Sequence, residues 1–399
     1  MPNNFTIKWS TTVDDIQDKD WIRIYGTDII KSKQFIKANE EANFKDVTFY
    51  NLQVFKKDGE IAAIVPCFNY CIDILNITST VLIKKWIVGM RKLFPSFLKL
   101  RTFITGSYAC TCEHLIGYSS SLTDNEINEV SDIIEQELKK KCEETKAKFI
   151  FIKDIREHYL QDVKRVLKTG FRFLETYPTT LIPVMDVPYP NALKKKHRKR
   201  YRKYKELFDK RFYWTIYDDF TGKTAEEFYE LYFAVVTKAK NKFEFLNAEF
   251  FNKLSEFMGD RAFLFVAKDK ETDETRVMEL VLINEEKLIP LYLGIKYKDD
   301  DTKVLYLNTI FNTVKEAEKR KKSFIDLGQT SYYPKAMSGA LIEKIHYGFW
   351  AKGGIMKFMI NHFFDKLFAP QLMPDHVYLA QYADSAHNIL SNYNFVLVN

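Results

Sequence analysis

Twice along the chain the apolar pattern runs through the same order of elements, and a duplicated α/β unit explains that order better than chance does. In the first half, residues 47–55 and 61–68 are β-rich runs about a Lys57-Asp58-Gly59 turn, the signal of a hairpin. Thr123-Asp124-Asn125-Glu126 has the form of a capping box, and Ile127, Val130, Ile134 and Leu138 follow at helical spacing, so a helix is expected over 124–142. Residues 149–152 then have strand length. Tyr159, Leu160, Val163, Val166 and Leu167 mark a further helix closed by Gly170. The second half repeats this with strands at 262–267, 277–283 and 288–297, a helix carrying Leu307, Ile310, Phe311 and Val314, and a strand at 323–327. Gly170-Phe171 and Gly348-Phe349 stand at like places in the two halves.

A chain of 399 residues exceeds what one hydrophobic core usually serves, about 250–300 residues. Pro183, Pro188 and Pro190 forbid helix and favour extended chain, which puts the division at 1–188 and 189–399. A basic helix is expected to open the second half over 191–211. Its stripe of Leu193, His197, Tyr201, Tyr204 and Phe208 faces inward, while Lys or Arg fills nine of the twelve positions 194–205. The net charge is only +7, so this block is where the cations concentrate. It calls for an anionic partner, with Lys195, Arg198 and Arg202 as candidate anion-binding residues.

Other features exclude classes. Cys67, Cys71, Cys110, Cys112 and Cys142 are an odd number with no disulfide framework, which predicts reduced thiols in a cytoplasmic protein and no metal centre. No run of 18 uncharged apolar residues exists, so no membrane span is expected. Two amphipathic stretches, 84–101 and 355–368, suit core or dimer packing first and peripheral membrane contact second. The oligomeric state is left open.

The segment Asp326-Leu327-Gly328-Gln329-Thr330-Ser331-Tyr332-Tyr333-Pro334-Lys335, with Gly339 beyond it, is the strongest candidate site. Gly328 ends a strand and permits a sharp turn, and polar residues at a strand's carboxyl end are where α/β sites form. Gln329, Ser331, Tyr332 and Lys335 are expected to converge there. The competing reading makes Asp326 and Ser331 caps and the tyrosines packing residues.

On this motif, the basic run 193–202, and Phe94-Pro95 followed by Thr105-Gly106-Ser107, the chain resembles the Fem-type and CelD-type branch of the GNAT superfamily. The resemblance implies an α/β protein of two tandem GNAT-like domains, each a mixed, largely antiparallel sheet flanked by helices. It implies an acyltransferase, moving an acyl group from an acyl thioester on coenzyme A or a carrier protein to an amine or hydroxyl of a metabolite or cell-envelope precursor. The runner-up is a tRNA-dependent aminoacyl transferase acting on a cell-wall precursor, with tRNA as partner. A catalytically silent scaffold of the same shape is the third reading.

Acyl transfer needs a neutral amine, a stabilised oxyanion and a proton for the leaving group. Asp326 is the candidate base, Tyr332 or Tyr292 the candidate acid, and Lys335 the fixed cation, with Gln329, Ser331, Gly328 and Gly294 lining the acceptor. Gly294 is taken as the bulge where the sheet splays open. By the resemblance, the backbone of Leu293 and Ile295, with Thr302 and Lys303 at a helix start, would hold acyl-CoA as co-substrate; no tightly bound cofactor is expected. The turn before that helix has no glycine and carries Asp299, Asp300 and Asp301, which would repel a pyrophosphate.

Overall fold

A computed structural model describes residues 4–77, 81–109, 112–239, 244–329, 331–363, 377–395 and 397. The strands are β1 (Phe5–Ser10), β2 (Thr48–Lys56), β3 (Ile61–Asp73), β4 (Lys99–Thr105), β5 (Gly117–Tyr118), β6 (Phe149–Arg156), β7 (Arg172–Glu175), β8 (Thr179–Pro183), β9 (Phe212–Tyr217), β10 (Ala262–Asp269), β11 (Thr275–Ile283), β12 (Lys287–Ile295), β13 (Phe324–Gly328), β14 (Leu341–Glu343) and β15 (Ile345–Ala351). The helices are α1 (Asp18–Tyr25), α2 (Lys33–Glu41), α3 (Ile74–Ile77), α4 (Val81–Arg91), α5 (Asp124–Glu144), α6 (Leu160–Val166), α7 (Tyr189–Ala192), α8 (Lys195–Arg211), α9 (Lys223–Lys238), α10 (Ala248–Met258), α11 (Thr302–Lys319), α12 (Tyr332–Ala336), α13 (Gly354–Phe363) and α14 (Ala380–Ser391).

The chain forms two compact units, one of Met1–Thr176, Ala239–Asn247 and His346–Ala369, the other of Tyr177–Lys238, Ala248–Ile345 and Pro370–Asn399. The first unit is built on a sheet ordered β1-β2-β3-β4-β6-β15-β7, with β5 also on β3. The β2–β3 hairpin has the antiparallel pairing that its Asp-Gly turn predicts. β4 and β6 run parallel. α5 begins at the expected capping box, where the Thr123 amide donates to the Glu126 carboxylate and the Glu126 amide to the Thr123 hydroxyl. Val130, Ile134 and Leu138 of α5 and Leu160, Val163 and Val166 of α6 pack in one core with Ile150, Ile152 and Phe103 of the sheet.

The second unit has a sheet ordered β14-β8-β13-β12-β11-β10-β9. Both sheets are mixed and largely antiparallel, each with helices against it, as the resemblance implies. α8 and α11 cover one face, with Phe208 and Leu305 packed against Leu293 and Val277. Because successive strand residues point to opposite faces, Tyr292 lies on the other, against Tyr232 of α9 and Phe250 and Phe251 of α10.

Two segments join sheets that their position in sequence does not suggest. Residues 179–183 precede the proline-rich division, yet β8 pairs with both β13 and β14 in the second sheet. All five β8 residues are buried, and a strand buried on both faces needs a ladder partner on each edge. β15, late in the chain, pairs with β7, setting Gly348 opposite Phe173. Gly170 and Gly348 are therefore not equivalent points of a repeat; they belong to neighbouring parts of one unit. The basic helix starts at Lys195 rather than 191, because Leu193 bridges to Tyr378 and the Lys194 amide donates to the Val377 carbonyl.

Cys67 and Cys142 are buried free thiols, Cys71 is a half-buried one and Cys112 is buried; Cys110 lies outside the described residues. Among the described residues no helix is long and apolar enough to cross a membrane. Of the apolar stretch 355–368, residues 364–368 lie outside the described residues.

Candidate functional site

In the second unit the sheet opens between β12 and β13. β12 is paired with β11 along its length, from Ile283↔Leu288 to Val277↔Ile295. Its other edge meets β13 in parallel only at Lys287↔Phe324 and Leu288↔Ile325. Beyond those pairs β13 continues with β8, Asp326 opposite Leu181 and Gly328 opposite Thr180. From Ile289 onward that edge of β12 thus has no strand partner among the described residues.

Just beyond, the edge that β12 shares with β11 carries a bulge. Tyr292 pairs with Leu280 and Pro290 with Val281, which leaves Leu291 as the extra residue. Proline has no N–H for a ladder, so Pro290 is the sequence signal for this bulge, and Gly294 is not. Gly294 instead lets α9 approach the sheet: an added Cβ would lie 2.6 Å from Leu231 Cβ and 2.8 Å from the backbone of Leu231 and Tyr232. Gly294→Val is therefore expected to lower stability by about 3 kcal/mol, read as a lower urea midpoint. An unchanged midpoint would mean that α9 moves away without cost.

Below the opening, on the α8/α11 face, the two units' apolar pattern gives way in the second to a polar cluster. Glu279 of β11 is buried, and the Thr313 hydroxyl of α11 donates to its carboxylate at 2.9 Å. Burial pushes this carboxyl up to about 7, against the opposing pull of the Thr313 and Thr309 hydroxyls and the Lys335 ammonium. Tyr306, one turn earlier on α11, is hydrogen-bonded to Ser331, and burial raises its phenol well above the ordinary value, so it stays protonated at neutral pH. Glu279 escaped the sequence reading. Its signal was there: one acid within the otherwise apolar run Val277-Met278-Glu279-Leu280-Val281-Leu282-Ile283, facing Thr309 and Thr313 spaced i, i+4 on a helix.

The 326–335 motif folds differently from expectation. Asp326 is 1% exposed; its carboxylate accepts from the Thr179 hydroxyl at 3.1 Å and the Gly328 amide at 3.2 Å, with Lys287 Nζ 3.9 Å away. Asp326 is thus a turn-forming group and not a free base, the capping role its residue type favours. Lys335 is buried, and its ammonium donates to the carbonyls of Leu327 at 2.7 Å, Gly328 at 3.1 Å and Gln329 at 2.8 Å. Those three bonds use all three of its donors, so it holds the loop together rather than facing an oxyanion. Tyr332 is sealed at 2% exposure. Carboxylate, phenol and ammonium therefore do not converge on an open cleft.

The remaining candidates divide. Gly328, at φ 68°, makes the turn, and its carbonyl also accepts from the Thr180 hydroxyl at 2.7 Å. Gln329 is half-buried and donates through Nε2 to the Tyr177 carbonyl at 2.7 Å. Ser331 is exposed and reaches Tyr306. Tyr292 lies among the aromatic rings of α9 and α10, on the opposite face from Glu279. Leu293 and Ile295 pack in the core, while their backbone lies on the opened edge.

Thr302 and Lys303 do start α11, but the space before that helix is filled by ion pairs. Arg211 bonds Asp299 at 2.7 Å, Asp301 at 3.3 Å and Asp269 at 2.8 Å. Arg276, fully buried, contacts Asp301 at 3.0 Å and Asp299 at 3.6 Å. The Arg211 guanidinium holds the Asp299 carboxyl below its ordinary range. Carboxylates thus occupy the place where a helix N-terminus would receive a pyrophosphate. Lys303 is exposed, with its ammonium 5.5 Å from the Tyr204 ring centroid.

On α8, Lys195, Lys196, Lys199, Arg202 and Lys203 are exposed, and Arg198 is half-buried, bonding the Leu193 carbonyl at 3.4 Å. Tyr201, Tyr204 and Phe208 face the core as the spacing predicts. The result is a rigid cationic ridge on the same face of the sheet as Glu279.

Comparison with known proteins adds a family. The profile of the FemAB-like family, described as peptidoglycan biosynthesis/recognition, matches residues 123–340. The crystal structure of FemX is similar with a TM-score of 0.53 at 10% identity, over 89% of this chain and 100% of that chain. The structure of L-PGS from Bacillus licheniformis gives a TM-score of 0.49 at 9% identity, over 87% of this chain and 94% of that one. A tandem GNAT protein from the clavulanic acid biosynthesis pathway gives 0.49 at 6% identity, over 88% and 99%. At such identities the likeness to FemX is one of fold. No curated protein matches the sequence.

Proposed function

The chain belongs to the FemAB-like family, and from that premise we propose that its second unit transfers an aminoacyl group from the ester of a charged tRNA to an amine of a cell-envelope precursor. One observation carries the choice of donor: the acid–arginine lattice of Asp299, Asp301, Arg211 and Arg276 stands where coenzyme A would place its pyrophosphate. A thioester donor bound in that way meets carboxylates. A nucleic-acid donor instead meets the exposed cations of α8, whose attraction for phosphate needs no glycine turn.

In this reading the acceptor amine attacks the ester carbonyl carbon, and the carbonyl oxygen takes the developing charge beside the open backbone edge of β12. The amine's proton passes to Glu279, whose affinity for it near pH 7 suits a general base. The C–O bond to the ribose then breaks, and the leaving oxygen takes a proton from the Tyr306 hydroxyl, which is restored from Glu279. Acyl group, alcohol and proton balance without a covalent enzyme intermediate.

Titration with charged tRNA and, separately, acetyl-CoA tests the donor. The expected result is tRNA binding that weakens steeply with salt, and no heat with acetyl-CoA. Lys199→Glu with Arg202→Glu should lower tRNA affinity about tenfold or more and reduce the slope of log K against log salt by about two. Micromolar acetyl-CoA binding with indifference to tRNA would return the donor to a thioester. Silence with both would favour a scaffold.

A further inference from the structure

We propose that the excursion between β3 and β4 in the first unit is a membrane-surface anchor, laying its exposed apolar side chains into the interfacial layer of an anionic bilayer. β3 and β4 are antiparallel neighbours, paired from Cys67↔Thr105 to Asp73↔Lys99. Such neighbours need only a short turn. Instead residues 74–77 and 81–98 lie outside the sheet and include α3 and α4.

That excursion carries an unusual surface. Leu82, Trp86 and Leu93 are 78%, 56% and 75% exposed, and Val88 and Phe94 are exposed beside them. A soluble surface rarely gathers so many large apolar groups in one short stretch unless something covers them. The cations among them are Lys84, Lys85, Arg91 and Lys92, with Lys99 and Arg101 following, and from 74 to 101 there is no Asp or Glu.

The face is also held rigid. Arg91 forks onto the Asp73 carboxylate at 2.9 and 2.6 Å, and its Nε donates to the Phe97 carbonyl at 2.9 Å. The Trp86 ring meets Phe97 edge-on at 5.1 Å, and Ile87 is fully buried on the opposite side of the helix. Leu82, Trp86 and Val88 are thus presented by a tethered helix, and Leu93 and Phe94 by the turn that follows it.

Charge chooses the occupant. A second copy docked on the same face about a two-fold axis would bring Lys85 and Lys92 against like charges. Anionic headgroups complement them, while tryptophan prefers the boundary between headgroup and hydrocarbon. The excursion lies outside the 123–340 match, and the inference stands apart from the reaction proposed for the second unit.

Flotation of the full chain with vesicles of phosphatidylcholine alone, and with phosphatidylglycerol added, tests it. The anionic vesicles are expected to carry at least about tenfold more protein at low salt. Leu82→Glu with Leu93→Glu should abolish flotation while leaving the thermal midpoint unchanged, since both side chains already face water. Absence of flotation by the parent chain overturns the proposal. So does a result in which Lys85→Glu with Lys92→Glu abolishes binding but the leucine variant retains it, because adsorption would then be electrostatic without insertion. A dimer in sedimentation velocity that the leucine variant dissociates, with no lipid binding by either, would assign the face to self-association.

Discussion

Glu279→Gln is expected to lower kcat for acyl transfer by about 10²–10⁴-fold while making the folded protein more stable above pH 7. The two effects share a cause. Burial raises the Glu279 carboxyl from 4.5 to about 7, so between those values the folded state keeps a proton that the unfolded chain has lost. Stability from this group is full below about 4.5, falls as pH rises to about 7, and stays low beyond. At 1.36 kcal/mol per unit, the shift sets a ceiling of about 3 kcal/mol. Glutamine keeps an oxygen to accept from the Thr313 hydroxyl but has no proton to lose, so the part of the slope that Glu279 supplies should vanish, leaving that of Glu40, whose buried carboxyl is also pushed up to about 7. Urea unfolding at pH 5 and pH 8 reads the stability, and a pH–rate profile reads the base. A variant with flatter stability but unaltered kcat would leave Glu279 as a buried acid with no part in the reaction.

Lys335→Ala is expected to cost about 3–5 kcal/mol of stability and to lose activity only as the loop loosens. Three carbonyls, those of Leu327, Gly328 and Gln329, would lose their donor in a buried place, at about 1–3 kcal/mol each and less than additively. The measurement is a urea melt alongside turnover on the fully folded fraction. Intact stability with lost turnover would reinstate the ammonium as a reacting cation. The same loop carries Ser331, at φ 50°, to the Tyr306 hydroxyl, so its shape matters to the cluster that holds Glu279.

The 326–335 motif shows why residue type and position can mislead. Asp, Tyr and Lys at the end of a strand have the right chemistry and the right topology for a site. Whether they face a cleft depends on where each side chain finds a partner, and here Thr179 and the loop's own carbonyls take them first. Glu279 shows the converse. In sequence it is one acid in a β-rich run, and only the approach of α11 sets Thr309 and Thr313 against it and removes water.

What the amino-acid sequence determined by itself is the set of elements: the capped helix at Thr123, the hairpin at Asp58-Gly59, the amphipathic α8, and the doubled order of strands and helices that implies two sheets. Those signals are local, because capping, turn geometry and apolar spacing act over a few residues. The tertiary structure alone decided that β8 belongs with β13 and β14, that β15 completes the sheet of β7, that β12 parts from β13 after Leu288, and that Asp299 and Asp301 face Arg276. A strand's own pattern states which face is buried but not which edge it joins, and a carboxylate's charge does not name the guanidinium that will neutralise it. Those choices are made by surfaces brought together from distant parts of the chain.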